Sequence, residues 1–310
     1  MLEDFLIRLG IVHQPSAVTN AVPVGKQRQH LSNLYILPDG LLHPQFETKR
    51  NARGAYVPCW KSAFELALRK GQLKRIHNTA NLHPLLVNQI SHQLRSRVLQ
   101  ELIILHKRLE ALRGHRRLKS PPNILRRLTA QELSSASTPS LSSSVRLETS
   151  CSQQPLAVIT CPRQPTSETV ADDQLATLPI QLDYPSPEPG LPPYELIPLD
   201  SSRSAEPSLP LYHGSKIFRL SAEQTRLRLA LDRIIELDQQ VPHGPQQRHP
   251  DPSGKSEEAL EDSSDAYILQ SPANGATVDP VPLAISLWRL MLWEGSDWRT
   301  VDDSVMSSPL

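Results

Sequence analysis

The stretch from Pro84 to Gly114, PLLVNQISHQLRSRVLQELIILHKRLEALRG, decides how the rest of the chain is read. Its apolar residues recur at Val87, Ile90, Leu94, Val98, Leu102, Leu105, Leu109 and Leu112. Steps of three and four place them on one face of an α-helix. Pro84 suits the first helical position and Gly114 suits the stop. Roughly thirty residues at about 1.5 Å each give a rod of about 45 Å. Leu99, Ile103 and Ile104 widen the stripe, so the helix needs a partner surface. Another part of this chain would serve, and so would a second copy, a coiled-coil-like homo-oligomer through residues 84–113.

Working outward toward the N-terminus, Leu2, Phe5, Leu6 and Leu9 have helical spacing with Gly10 as a stop, which predicts a short helix. Leu34-Tyr35-Ile36-Leu37 precedes the turn signal Pro38-Asp39-Gly40 and the pair Leu41-Leu42. Ala55-Tyr56-Val57 is a further strand candidate after the basic loop Lys49-Arg50-Asn51-Ala52-Arg53-Gly54, so a small sheet of two or three strands is expected. Ser62-Ala63-Phe64-Glu65 reads as a capping box opening a short helix, with Gly71 as its stop. Beyond the long helix, Pro121-Pro122 ends the region, and Asn123 to Leu133 suggests one more basic helix.

The second half reads differently. Residues 131–150 hold eight serines and residues 131–215 hold 13 prolines, a composition that predicts a disordered linker. Ser221-Ala222-Glu223-Gln224 opens an isolated helix, with Leu227, Leu231, Ile234 and Ile235 on one face. Residues 242–281, with the acidic run Glu257 to Asp265, again read as disorder. The expected fold is therefore mainly α with extensive disorder. It has a small α+β N-terminal module with one long amphipathic helix, and isolated short helices in an otherwise disordered C-terminal half. The expected divisions are a basic module at 1–130, a linker at 131–215, a helix at 216–241, an acidic segment at 242–282 and an acidic-aromatic segment at 283–310.

A formal net charge of +1 hides a strong asymmetry. Residues 1–130 carry 21 Lys and Arg against 7 Asp and Glu, and the remainder carries 12 against 25. Such a split points to a nucleic-acid contact on the basic side and an acidic recruiting tail on the other. A basic half folded back on its own acidic half is the competing explanation. Cys59, Cys151 and Cys161 lie far apart without a C-x-x-C pair, which argues against a disulfide framework or a cysteine zinc finger and for a reducing compartment. The start Met1-Leu2-Glu3-Asp4 has no basic n-region, so no secretory signal is expected, and no apolar run reaches the roughly 18 residues of a membrane span. No phosphate loop, H-E-x-x-H or G-x-S-x-G is present, and His92 and His106 stand about four helical turns apart, too far to share a metal. No enzyme, no cofactor and no metal site are expected.

Two segments carry the functional expectation. The first is the basic cluster Lys107, Arg108, Arg113, Arg116, Arg117, Lys119, Arg126 and Arg127. It suits phosphate contacts to DNA or RNA, and Lys107-Arg108 with Arg116-Arg117-x-Lys119 resembles a bipartite nuclear import signal. A solvated helix end is its plain structural alternative. The loop Lys49 to Tyr56, with Trp60 and Lys61, interleaves charge and rings, a pattern that suits either unpaired bases or the packing of a small core. The second segment is the C-terminal face of Leu287, Trp288, Leu290, Met291, Leu292 and Trp293, with the pattern of an acidic activation segment that folds onto a protein partner. Docking of Trp288 and Trp293 on the helix at 84–113 is the alternative there. Ser-Pro pairs at Ser120, Ser186, Ser271 and Ser308 suggest phosphorylation. The resulting expectation is a nuclear regulator, shuttling with the cytoplasm or resident, of the transcriptional-activator type. A non-enzymatic scaffold or viral accessory protein working through the long helix is the second reading.

Overall fold

The computed structural model describes residues 5–13, 34–47, 54–114, 122–129, 132, 153–161, 178, 194–198, 208–239, 263–272 and 278–295. Its chain divides into two compact units. One comprises Met1–Arg97, Ile180–Tyr184 and Leu292–Leu310, and the other Val98–Pro179 and Pro185–Met291.

The first unit is built on a mixed sheet of β1 (Leu6–His13), β2 (Leu34–Asp39), β3 (Gly54–Pro58) and β4 (Asn81–Leu82), in the order β3-β1-β2-β4. β1 pairs antiparallel with β2 and β3, and β4 adds parallel to β2. Residues 6–9 alternate: Ile7 and Leu9 are fully buried, while Leu6 and Arg8 are only partly covered. The predicted helix over residues 2–9 is thus corrected. A period of two through Ile7 and Leu9, paired on both sides, outweighs the accidental 3.6-residue spacing of Leu2, Phe5 and Leu9. The strands expected around Ile36 and Tyr56 are present, with β1 between them.

α1 (Lys61–Arg69) follows β3, with Trp60 rather than Ser62 at its N-cap and no side-chain cap bond. It buries Phe64 and ends before Gly71, whose φ of 65° is a left-handed conformation that glycine adopts without steric cost. A 3-10 turn, Gln72–Arg75, buries Leu73. α2 (Leu86–Gly114) is the long helix read from the sequence. Ile90, Leu94, Val98, Leu102, Leu105 and Leu109 are all buried, and from Val98 to Leu105 every residue is.

In the second unit five strands form another mixed sheet: β5 (Leu125–Thr129), β6 (Pro155–Thr160), β7 (Tyr194–Pro198), β8 (Ser208–His213) and β9 (Ser263–Gln270), ordered β5-β9-β6-β8-β7. β6 and β8 run parallel, and the other neighbours are antiparallel. The short helix α3 (Gly214–Ile217) and then α4 (Ser221–Gln239) follow β8, and α5 (Val281–Glu294) follows β9. Leu128, Val158, Leu209, Leu211, Ala266 and Ile268 form one core cluster of this sheet.

This second sheet overturns the expected fold class. The protein is mixed α+β, not mainly α built around one long helix. Four of its strands, β6 to β9, lie wholly or largely within stretches read as disordered, and β5 lies where a basic helix was expected. The reason is local. Leu156-Ala157-Val158-Ile159 and Ala266-Tyr267-Ile268-Leu269 are short apolar runs, each bounded by polar or turn-forming residues. Ala266, Tyr267, Ile268 and Leu269 are all fully buried in a strand flanked on both sides, which is the sequence signature of an interior strand. Averaging composition over eighty residues dilutes runs of four.

Candidate nucleic-acid interface

In the first unit the described residues up to Arg97 carry mostly positive charge. Among described residues up to Arg97 the acids are Asp39, Glu47 and Glu65, against Arg8, Lys61, Arg69, Lys70, Lys74, Arg75, Arg95 and Arg97. Asp39 is 1% exposed and forms an ion pair with Arg8 across β1 and β2. Gly54 makes room for that arginine: a Cβ there would lie 2.9 Å from Arg8 Nε and 2.8 Å from the Leu9 carbonyl. Arg95 is buried against Glu294 at 3.4 Å, and Lys61 reaches the same carboxylate at 3.8 Å.

Arg97 is partly buried and also engaged, which leaves Arg69 and Lys70 at the end of α1, and Lys74 and Arg75 in the turn after it. All four are exposed, and none has an ion-pair partner among the described residues. α1 presents Ser62, Leu66, Arg69 and Lys70 on its outer face, at spacings of four, seven and eight from Ser62. Tyr56 on β3 is 56% exposed and Trp60 is 38% exposed. From Tyr56 to Arg75 the chain therefore shows rings at its start and four cations at its end. The rings were singled out in the sequence, whereas the cations were missed, although four positive residues within the seven-residue stretch RKGQLKR are a visible signal.

The residues expected to bind nucleic acid are not brought together in this way. Lys107 and Arg108 are exposed on α2, and Arg113 is partly buried in its last turn. Arg116, Arg117 and Lys119 lie outside the described residues, as do Lys49, Arg50 and Arg53. Arg126 forms a two-pronged pair with Glu132, at 3.1 and 2.8 Å, and its hydrogen bonds hold that carboxyl below the ordinary glutamate range. Arg127 donates to Asp232 of α4 at 2.7 Å and lies over the Tyr267 ring, 5.8 Å from its centroid. Burial works against the Arg127 charge, but Asp232 outweighs it and raises the guanidinium above its usual value.

Asp232 is the centre of a brace between α4 and the second sheet. It also accepts from the Tyr267 hydroxyl at 2.8 Å and pairs with Arg228 at 3.5 Å, which itself reaches Asp265 at 2.9 Å and the Cys161 carbonyl at 3.0 Å. Burial, then Asp232, pushes the Tyr267 phenol above its ordinary range, so it stays a protonated donor. Cys161 is buried, its thiol pushed up to about 12 chiefly by burial, which removes it as a nucleophile at neutral pH. The opposite charges in this brace satisfy one another.

The C-terminal face lies within the fold. Leu287, Leu290, Met291, Leu292 and Trp293 are all buried, and Trp288 is partly so. In the first unit Trp293 donates its indole N–H to Ser91 Oγ of α2 at 2.8 Å and packs at 5.5 Å against the Phe64 ring. Of the Ser-Pro sites, Ser271 accepts from the Gln154 amide at 2.7 Å, while Ser120, Ser186 and Ser308 lie outside the described residues. Among the described residues no helix is long and apolar enough to cross a membrane, and no group of three His, Cys, Asp or Glu could hold a metal ion.

No family model, curated protein or solved structure matches this chain.

Proposed function

We propose that this chain is a non-enzymatic nuclear regulatory protein that binds nucleic acid through its basic N-terminal half. The observation that carries the reading is the exposed group Arg69, Lys70, Lys74 and Arg75, which has no ion-pair partner among the described residues. Cations left free by a fold attract phosphates through counterion release, whatever the base sequence. Lys107 and Arg108 add exposed charge on α2, and with Arg116, Arg117 and Lys119 they supply the import signal that nuclear residence requires. Arg126 and Arg127 drop out of the contact set, because their guanidinium groups are committed to Glu132 and Asp232. Recruitment through residues 287–293 is not part of this reading, since all its apolar side chains but Trp288 are buried.

The test is binding of the full chain to a labelled oligonucleotide, followed by fluorescence anisotropy across a salt series. Affinity is expected to fall steeply with salt. Replacing Arg69, Lys70, Lys74 and Arg75 together by Ala should flatten the log–log slope by about three, at roughly 0.7 per lost contact to a single strand. Replacing Arg126 and Arg127 should leave that slope unchanged. Salt-insensitive binding, or an unchanged slope in the fourfold variant, would sink the reading.

A further inference from the structure

We infer that the acidic segment after α5, residues 296–310, docks along the outer face of α1 and competes with nucleic acid for Arg69, Lys70, Lys74 and Arg75. The competition rests on the nucleic-acid reading above, and the docking stands without it.

α5 ends at Glu294, whose carboxylate lies 3.8 Å from the ammonium of Lys61, the first residue of α1. The chain beyond Glu294 therefore leaves the helix beside the start of α1. Leu66 is 45% exposed on α1, and Arg69 and Lys70 stand three and four residues further on, its neighbours on the helix surface. Lys74 and Arg75 follow in the next turn. Residues 296–310 lie outside the described residues, but their order in the sequence matches this face. Asp297 and Trp298 come first, then Asp302 and Asp303, and Arg299 is their single basic residue. Trp298 is four residues past Glu294 and Asp302 is eight, so an extended chain carries them up to about 13 Å and about 26 Å. Both reaches exceed what has to be spanned, about 7.5 Å along α1 from Lys61 to Leu66 and about 12 Å to Arg69.

The surface itself selects the occupant. An exposed leucine beside four cations suits a ligand that joins an apolar side chain to negative charge. Phosphodiester supplies the charge alone. The segment 296–310 supplies both, Trp298 for Leu66 and the three aspartates for the cations. Held at Glu294, it acts at an effective concentration in the millimolar range, which a free peptide of the same composition rarely reaches. Exposed ion pairs are individually weak, so the docked segment gives way to a strand that brings many phosphates at once.

The experiment uses the full chain at low salt, where surface charges are weakly screened. Zero-length carbodiimide coupling joins a carboxylate to an amine that it touches, and mass spectrometry locates the products. Links from Asp302 or Asp303 to Lys70 or Lys74 are expected, and they should disappear at about 1 M salt. In oligonucleotide binding, Asp297→Asn, Asp302→Asn and Asp303→Asn together should tighten affinity about three- to tenfold. Trp298→Ala, which leaves the charge unchanged, should tighten it about twofold. Glu257→Gln, Glu258→Gln and Glu261→Gln together make the same change of charge elsewhere and should shift it by less than about twofold. Absent links, with affinity unchanged in the aspartate and Trp298 variants, overturn the inference and leave the nucleic-acid reading standing. An equal gain in the Glu257 variant overturns it too, because net charge alone then accounts for the effect. Links without oligonucleotide binding by any variant overturn the nucleic-acid reading and leave the docked segment.

Discussion

A single carboxylate, Asp238, joins the end of α4 to the start of β5. It is 2% exposed and accepts from the Asn123 amide at 3.0 Å and the Leu125 amide at 3.1 Å. Burial raises its pKa above the ordinary aspartate value, against the three backbone N–H groups of Leu125, Asn123 and Ile124, which act to lower it. Asp238→Ala leaves buried amides without an acceptor, and each such loss costs about 1–3 kcal/mol. A drop in denaturation midpoint of that order is expected, and an unchanged midpoint would mean the amides find other partners. None of this was legible in the sequence, because Asp238 lies 115 positions from Asn123 and looks like any acid near a helix end. Tyr56 and Trp60 were legible, because their interleaving with Lys and Arg is local. Whether a ring is stacked in a core or open to solvent is decided by tertiary packing.

At the scale of elements, α2 was legible because its signal repeats over eight positions, and α4 and α5 were legible for the same reason. The strands of the second sheet were not, since each contributes only four or so apolar residues and its stability comes from neighbours far along the chain. β9, between β5 and β6, joins segments that the linear reading placed in three different regions. α5 is the element whose role changed most. Its apolar face is the same one read from the sequence, but Trp293 is fully buried with its N–H bonded to Ser91 and its ring on Phe64. Trp293→Ala should therefore destabilise the first unit by about 3–5 kcal/mol, read as a lowered denaturant midpoint. Trp288→Ala, at a partly exposed position, should cost clearly less. Equal and small effects would mean that α5 is held only loosely.

For the whole molecule, the charge split between the two halves was plain from the sequence, but which cations stay free was not. Arg127 is neutralised by Asp232, 105 positions away, while Arg69, Lys70, Lys74 and Arg75 form no ion pair among the described residues. A long-range pairing of this kind leaves no trace in composition. The account predicts that nucleic acid touches the segment from Arg69 to Arg75 and leaves the Arg126–Arg127 brace alone. Photocross-linking of a single-stranded oligonucleotide to the full-length protein, with the adducts located by mass spectrometry, tests this most directly. Adducts concentrated on the peptides that hold Arg69, Lys70, Lys74 and Arg75 are the predicted result. Adducts confined to the second unit, or none at low salt, would contradict it.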